Sequence, residues 1–216
     1  MVSKLTDQAS IANQFIAELR SVDIQKDRMR FRRNLERIGE ILAYEISKHL
    51  DFQELEVETP LGIAKTSIPS DQIVLATILR AGLPFHQGML NYFDKAGNAF
   101  ISAYRKHHKD GSFEIKMDYM SSPDIENRVL ILCDPMLATG SSVDVTFKEL
   151  FASGQPKQVF LATAIATTFG IDRIRRLYPE VHIFAGDIDD ELTAKSYIVP
   201  GLGDAGDLSF GEKLQD

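Results

Sequence analysis

The chain has 216 residues, 44% of them hydrophobic and 25% charged, which is enough for one ordered domain with a real core. Its formal net charge of −7 argues against a broad nucleic-acid-binding surface, because such a surface usually needs a basic surplus. Its one cysteine, Cys133, excludes an intramolecular disulfide and a CxxC zinc site, and the lack of a secretory signal or an apolar membrane segment predicts a soluble, cytoplasmic protein.

The first half of the chain contains one strong helical pattern and two strand candidates. Segment 26–50 has apolar residues at three- and four-residue steps, which predicts an amphipathic helix. The apolar run 73–82 is typical of a strand that is buried on both faces of a sheet. A shorter strand is predicted at 99–105, and Asp110-Gly111 after it is typical of a hairpin turn.

In the second half, strand and helix patterns alternate with short connections. Strands are predicted at 128–134, 158–166 and 181–186, and helices at 143–154 and 171–178, the latter ending before Pro179. Alternation of this kind predicts a parallel sheet covered by helices, in a single domain without internal repeats.

A strand, a loop of small residues and a helix are joined in the stretch VLILCDPMLATGSS, 129–142. The strand places Asp134 at its carboxyl end, where open α/β sheets bind ligands, and Cys133 before it is expected to be a buried small hydrophobe. The backbone N–H groups, the hydroxyls and the helix dipole suit a phosphate, although the loop lacks the GK[ST] ending of a Walker A motif. The alternative is a plain helix cap by Ser141 or Ser142. Because a carboxylate can accept bonds from sugar hydroxyls, the stretch predicts a ribose 5-phosphate site.

The C-terminal stretch YIVPGLGDAGD, 197–207, has Gly201, Gly203 and Gly206 at the spacing of a dinucleotide-binding turn. Such a turn needs a helix that opens at the third glycine, and a second strand with an acidic residue roughly 20 positions on. Ten residues follow Gly206, so we expect neither a helix nor a strand there and reject this interpretation. Taken alone, the glycines favour a structural turn and a ligand contact about equally.

Three motifs, DPMLATGSS, ILRAGLP and YIVPGLGDAGD, together resemble the uracil phosphoribosyltransferases of the type I phosphoribosyltransferase family. The resemblance runs from about residue 73 to the C-terminus. It implies an α/β fold with a mostly parallel central sheet flanked by helices, a β-hairpin arm, an N-terminal helical segment (1–50) and a C-terminal hood over the base (187–216), all in one domain, 1–216. The implied reaction, a step of pyrimidine salvage, makes UMP and diphosphate from uracil and 5-phosphoribosyl 1-diphosphate.

The resemblance also implies which residues bind the two substrates. Phosphoribosyl diphosphate would contact Arg80, Arg105, Asp204 and the loop Asp134, Pro135, Met136, Leu137, Ala138, Thr139, Gly140, Ser141 and Ser142. Uracil would contact Ile198, Gly203, Asp204 and Ala205, mainly through backbone groups that match its N3–H and its two carbonyls. No dedicated acid or base is expected, so catalysis would rest on positioning and charge neutralisation, with Asp134 and Arg105 most important. Mg²⁺ would bind mainly the substrate's oxygens, with Asp204 as a candidate ligand.

This chain departs from the family pattern at three places. The usual TGGS is TGSS here, and we expect Ser141 to be tolerated if its φ is negative. The segment after Arg105, KHHKDGSFEI, is basic where many relatives carry a glutamate pair, and a solvated loop is slightly favoured over a role in attracting substrate. The tail also lacks an arginine that often follows GDAGD.

Two other functions stay open. One is an RNA-binding pyrimidine regulator that keeps the nucleotide pocket, which the acidic charge argues against; the other is a transferase for another base, such as a purine or orotate, which the glycine stretch argues against. For Arg80 and Arg105, the alternative to a diphosphate contact is a surface ion pair. The resemblance further implies a homodimer or higher homo-oligomer and, as in some relatives, activation by GTP.

Overall fold

A computed structural model describes residues 1–107 and 113–213 of the chain, without the side chains of residues 103–107 and 113–116. In chain order, the strands are β1 (Val2–Lys4), β2 (Phe52–Thr59), β3 (Gly62–Pro69), β4 (Ile73–Leu79), β5 (Gly97–His107), β6 (Phe113–Ser121), β7 (Val129–Cys133), β8 (Met136–Leu137), β9 (Gln158–Thr167), β10 (His182–Asp189), β11 (Glu191–Leu192) and β12 (Ile198–Val199). The helices are α1 (Ile11–Arg20), α2 (Arg28–Ser47), α3 (Gly82–Tyr92), α4 (Ser141–Ser153), α5 (Thr168–Leu177) and α6 (Ala205–Phe210).

Within the described ranges, the central sheet has eight strands in the order β1-β10-β9-β7-β4-β5-β6, with β8 paired to β9. Every neighbouring pair is parallel except β5 and β6, which are antiparallel. The predicted α/β fold with a mostly parallel sheet is therefore confirmed. The strands and helices predicted for the second half are all present, with α4 and α5 each beginning a few residues earlier than expected.

The two faces of the sheet are covered by different helices, and strand β7 shows why its sequence is continuously apolar. Val129, Ile131 and Cys133 pack with residues of α1, α2 and α3, whereas Leu130 and Leu132 pack with residues of α4 and α5. All five side chains are fully buried. Burial raises the pKa of the Cys133 thiol, which confirms the expectation of a small core residue rather than a nucleophile.

Helix α2 is the helix that the pattern at 26–50 predicts, with its ends moved inward. It begins after Asp27, whose carboxylate accepts hydrogen bonds from the backbone N–H groups of Met29 and Arg30, both at 3.0 Å. Its apolar stripe, from Leu35 to Ile46, is buried against the sheet.

Helix α3 was not predicted, because its glycines and proline are poor helix formers. The structure explains the glycines by the close crossing of α2 and α3. A Cβ on Gly39 would overlap the carbonyl oxygen of Phe85, and a Cβ on Gly88 would overlap that of Glu36. The two helices can therefore approach with their backbones nearly in contact.

Two hairpins lie outside the regular βα pattern. Strands β5 and β6 pair antiparallel from Phe100 with Ser121 to His107 with Phe113, which confirms the predicted hairpin; the turn at Asp110-Gly111 lies outside the described residues. Strands β2 and β3 form a separate two-stranded sheet in which nearly every residue is exposed. The sequence reasoning did not identify this second hairpin.

The two ends of the chain add further elements to the sheet. The N-terminal segment, expected to be helical, also supplies the edge strand β1, which pairs with β10. The segment 187–216 begins inside β10 and contains the small sheet of β11 and β12 and the helix α6. The expectation that no helix follows the glycines was wrong, because Asp204 caps a six-residue helix there. No helix in the described ranges combines the length and the hydropathy that crossing a bilayer requires.

Candidate functional site

The carboxyl ends of β4, β7 and β9 meet at one edge of the sheet, because the three strands are parallel neighbours. Arg80 follows β4, Asp134 follows β7, and the loop to α4 continues from Asp134. The fold therefore brings Arg80 and Asp134, two predicted site residues that lie far apart in the chain, to the same edge of the sheet.

The loop between β7 and α4 is held from behind by strand β9. The carbonyl of Pro135 accepts hydrogen bonds from the N–H groups of Ala164 and Ile165, at 3.1 and 3.0 Å. The hydroxyl of Thr163 accepts from the N–H of Leu137 at 3.2 Å, and the hydroxyl of Thr167 donates to the carbonyl of Ala138 at 2.6 Å. These bonds fix the loop backbone against the neighbouring strand.

Helix α4 begins without a side-chain cap. Its N-cap residue is Gly140, which has φ +75° in the left-handed region, and both Ser141 and Ser142 lie inside the helix. The interpretation of either serine as an N-cap was therefore wrong. Because the positive φ falls on Gly140, Ser141 has a helical backbone and causes no strain at the turn. The N–H of Ser141 donates to Thr139 Oγ1 at 3.3 Å, and the N–H groups that follow it in the first turn are suited to an anion.

Asp134 is a partly buried carboxylate with little to stabilise its charge. Its Oδ1 accepts a long hydrogen bond, 3.4 Å, from the N–H of Met136. Burial raises the pKa of Asp134 to about 7, and the Met136 hydrogen bond only partly offsets this effect. A carboxyl group in this state gains stability from any hydroxyl that donates to it.

A small cavity, about 40 Å³ in volume, lies between Asp134 and the start of α4. Its lining comprises Asp134, Met136, Leu137, Ala138, Thr139, Gly140, Ser141, Ser142 and Val143. All the predicted loop residues except Pro135 therefore line one space, and Pro135 is buried beside it.

Arg80 connects the edge of the sheet to the C-terminal segment. Its guanidinium forms an ion pair with Asp207 at 2.7 Å and donates to the carbonyl of Gly211 at 3.2 Å. The peptide bond between Leu79 and Arg80 is cis. The ion pair anticipated as an alternative for Arg80 is thus present, but it is made to the segment that was predicted to cover the base. The backbone of Arg105 lies on β5, next to β4; its side chain is outside the described part, so its predicted contact stays a prediction.

The glycines of the C-terminal stretch form a turn rather than a dinucleotide-binding loop. Gly201 and Gly203 have φ of +53° and +100°, and a Cβ on Gly201 would overlap the carbonyl oxygen of Ile198. Asp204 then caps α6, its Oδ1 accepting from the N–H groups of Gly206 and Asp207 at 2.9 and 3.0 Å. Of the four residues predicted to contact uracil, Gly203 and Asp204 lie in this turn. Ile198 lies on β12 before the turn and Ala205 begins α6 after it, and both are buried.

The turn is anchored to the N-terminal part of the chain through Arg20. The guanidinium of Arg20 donates to Asp187 and Asp189 at 2.8 to 2.9 Å and to the carbonyl of Gly201 at 3.0 Å. Asp189 in turn accepts from the N–H of Gly201 at 3.0 Å. Arg20 thus ties the first glycine of the stretch to helix α1 and strand β10.

A larger cavity of about 370 Å³ opens beside the same turn. It is lined by Gln25, Lys26, Arg28, Leu202, Gly203, Asp204, Asp207, Leu208 and Glu212. Lys26 and Arg28 belong to the segment 26–50, which was predicted only as an amphipathic helix, and neither was named as a candidate site residue. The signal that was available is that these basic residues stand at the start of α2 rather than along its length.

No group of three or more His, Cys, Asp or Glu side chains in the described ranges is arranged to hold a metal ion. Of the Asp204 carboxylate, Oδ1 caps α6 and Oδ2 lies 3.9 Å from Lys213 Nζ. One partly engaged carboxylate fits a Mg²⁺ ion only if a substrate supplies most of the oxygen ligands.

Comparison with known proteins extends the resemblance to the whole chain. Residues 6–212 match the family model of uracil phosphoribosyltransferase, UPRTase. A uracil phosphoribosyltransferase of Porphyromonas gingivalis is 54% identical over 99% of both chains, and one of Pyrococcus furiosus is 40% identical over 94% of this chain and 87% of its own. A solved structure of a protein from Aquifex aeolicus covers 100% of both chains with a TM-score of 0.87 at 31% identity.

Proposed function

The chain belongs to the uracil phosphoribosyltransferase family, and from that premise we propose how its residues carry out the family's reaction. The enzyme transfers the 5-phosphoribosyl group from phosphoribosyl diphosphate to N1 of uracil and gives UMP and diphosphate. The observation that carries the residue assignment is the cavity in which Asp134 faces the uncapped start of α4.

The loop 134–142 binds the ribose 5-phosphate part of the substrate. Backbone N–H groups at the start of α4, together with the hydroxyls of Ser141 and Ser142, hold the phosphate oxygens, and Thr139 supports Ser141 by donating to its Oγ at 3.0 Å. Asp134 accepts hydrogen bonds from the ribose hydroxyls, and these bonds favour its ionised form over the protonated one. The contacts between the loop and β9 support this role, since they fix the loop before substrate arrives.

Arg80 and Arg105 bind the diphosphate and neutralise the charge that develops as it leaves. What supports Arg80 is its position after β4 and its existing partner: Asp207 already pairs with it as an anion, at 2.7 Å. We infer that a bound diphosphate replaces Asp207 at the guanidinium.

Uracil lies under the turn of Ile198, Gly203, Asp204 and Ala205 and is recognised by backbone groups. Its N3–H donor lies between two carbonyl acceptors, a pattern that backbone C=O and N–H groups can match. Cytosine presents an amino donor and an unprotonated N3, so it would leave buried polar groups unpaired and be rejected.

The reaction breaks the bond between C1 of the ribose and the diphosphate oxygen, and the electron pair leaves with the diphosphate. The N1 lone pair of uracil forms the new bond to C1, and the N1 proton passes to solvent. The transition state resembles an oxocarbenium ion, so the residues act by holding the two reactants in line and by neutralising charge. Mg²⁺ would be held mainly by the oxygens of the diphosphate, with the Asp204 carboxylate as a candidate ligand on the protein, and would supply further neutralisation of the leaving group.

We propose that the chain forms a homodimer or a higher homo-oligomer through the β2–β3 hairpin. Residues directly opposite in this hairpin share a face, and one face carries Leu55, Val57, Ala64 and Ile68 while the other carries Glu54, Glu56, Glu58 and Lys65. An isolated two-stranded sheet is only marginally stable in water, and a second copy packed on the apolar face would stabilise it. Activation by GTP and a cytoplasmic location stay predictions, to be tested by assays with and without GTP and by cell fractionation.

The test is the formation of radiolabelled UMP from uracil and phosphoribosyl diphosphate, with and without Mg²⁺. A parallel panel of cytosine, orotate and hypoxanthine, with diphosphate release as the readout, checks the base. Of these bases, we expect only uracil to be converted. Conversion of another base but not of uracil would overturn the proposal. Specific binding of pyrimidine-gene leader RNA without UMP formation would favour the regulator instead.

A further inference from the structure

Ser141 stands in the phosphate loop where the family usually has glycine, and its hydroxyl is bonded from outside the loop. The Nη1 of Arg173, on α5, donates to Ser141 Oγ at 3.1 Å. Thr139 Oγ1 also donates to Ser141 Oγ, at 3.0 Å, and accepts from the Ser141 N–H at 3.3 Å. The serine is therefore part of a network that a glycine could not join.

The direction of these bonds leaves the Ser141 proton free for a ligand. A guanidinium can only donate, so Ser141 Oγ must accept from Arg173. With Thr139 as a second donor, both acceptor sites of the oxygen are used, and the O–H of Ser141 remains to donate. A bond from a cation polarises the hydroxyl and makes it a stronger donor to an anion.

Arg173 is itself held in place by a nearly buried carboxylate. Its Nη2 pairs with Asp144 Oδ2 at 3.2 Å, and Asp144 also accepts from Tyr178 at 2.8 Å and pairs with Lys148 at 3.1 Å. Burial alone would raise the pKa of Asp144, but hydrogen bonds from Tyr178, Lys148 and Arg173 outweigh it and lower that pKa. Asp144 thus stays charged and fixes the guanidinium beside the loop.

Helix α5 can act as a rigid support because it packs directly on the loop. A Cβ on Gly170 would lie 2.5 Å from the carbonyl oxygen of Ala138 and 2.9 Å from that of Leu137. Thr167, the N-cap of α5, donates to the same Ala138 carbonyl. Loop and helix are therefore joined at two places besides the Arg173 bond.

We propose that Arg173 is a positioning residue for phosphoribosyl diphosphate, which acts through Ser141 by turning its hydroxyl toward the 5′-phosphate. This inference rests on the proposed function, since it names a further residue of the same phosphate site. Ser141 and Arg173 would then work as a pair that replaces the glycine backbone usual at this position.

Steady-state kinetics of UMP formation on Arg173→Met, Ser141→Gly and the double variant test the pair. Each single variant should raise the KM for phosphoribosyl diphosphate about 3- to 10-fold, as expected for the loss of one ordinary hydrogen bond, and leave the KM for uracil unchanged. The double variant should be no worse than either single one, because the two residues act as one unit. An unchanged KM for phosphoribosyl diphosphate in Arg173→Met, or effects that multiply in the double variant, would overturn the inference.

Two control variants separate positioning from mere stability. Arg176→Met removes the same charge from an exposed position on α5, and Tyr178→Phe removes a partner of Asp144 without touching Ser141. Neither should change the KM for phosphoribosyl diphosphate, even if Tyr178→Phe lowers the melting temperature; an increase in Tyr178→Phe equal to that in Arg173→Met would refute a specific role for Arg173.

Calorimetric binding of ribose 5-phosphate gives a readout that does not depend on turnover. Weaker binding by Arg173→Met supports the pairing even if the wild type fails to make UMP, in which case the proposed function alone is wrong. A wild type that makes UMP, together with unchanged ribose 5-phosphate binding in Arg173→Met, refutes only the role of Arg173.

Discussion

Replacing Asp134 by asparagine should make the ligand-free protein more stable while it removes most of the activity. The carboxyl group lies in a partly buried position with one long hydrogen bond, and burial raises its pKa to about 7. A folded-state pKa above the unfolded value means that the folded protein binds the proton more tightly. Stability is therefore greatest below the unfolded pKa, near 4, and falls as the pH rises toward 7.

Raising the pKa of Asp134 from 3.8 to about 7 corresponds to at most about 4 kcal/mol at pH 8. Asparagine carries no charge but keeps a polar amide that must find partners, so we expect a gain of about 1–2 kcal/mol. For a chain of this size, 1 kcal/mol moves the melting temperature by about 2–4 °C. Asp134→Asn should therefore melt roughly 2–8 °C above the wild type at pH 8.

Thermal melts of the ligand-free proteins at pH 4.5 and pH 8, followed by circular dichroism, would measure this. The gain should be smaller at pH 4.5, where the folded wild type is largely protonated at Asp134. Asp144→Asn is the matched control of opposite sign, because the pKa of Asp144 is lowered: its carboxylate stabilises the protein above pH 4 and loses that effect as the pH falls. An Asp134→Asn protein that melts at or below the wild type at pH 8 would refute the reasoning.

The same variant should cripple turnover, since the amide cannot replace an anionic acceptor for the ribose hydroxyls. We expect the loss of activity to appear in assays at low concentrations of phosphoribosyl diphosphate, because contacts in the ground state and in the transition state both affect the rate there. Full activity under those conditions would remove Asp134 from the ribose contact.

Three further variants test other parts of the structure. Arg20→Met should leave the nearly buried Asp189 without its cation, destabilise the protein by roughly 3 kcal/mol in chemical denaturation, and raise the KM for uracil more than that for phosphoribosyl diphosphate. Arg105→Ala should raise the KM for phosphoribosyl diphosphate and leave that for uracil unchanged; the reverse order would exclude its diphosphate role. Val57→Lys on the apolar hairpin face should shift the mass measured by light scattering toward the monomer, whereas Glu56→Lys on the opposite face should not.

The sequence predicted those parts of the site whose residues lie in one continuous segment of the chain. Strand β7, Asp134 and the start of α4 lie within residues 129–142, so the run of apolar residues, the strand-end carboxylate and the small-residue loop could be read together. The contacts that were missed join distant segments. Arg173 is 32 residues from Ser141, and Asp207 is 127 residues from Arg80. No local sequence pattern predicts a contact between residues this far apart.

The fold was predicted least well where tertiary contacts outweigh local propensity. Helix α3 carries glycines that argue against a helix until the crossing with α2 is known. Helix α6 has only six residues, too few for an apolar period, and depends on the capping carboxylate of Asp204. The β2–β3 hairpin alternates apolar and charged residues on a surface that no part of its own described chain buries.

The glycines at the crossing of α2 and α3 have an effect well beyond the two helices. Helix α3 begins two residues after Arg80, so the depth at which it lies on α2 also sets where that guanidinium emerges from the sheet. A methyl group on Gly39 or Gly88 would push the backbones apart and carry the start of α3 with them. If Arg80 binds the diphosphate as proposed, the spacing of the two main chains at this crossing would help to set the affinity for phosphoribosyl diphosphate.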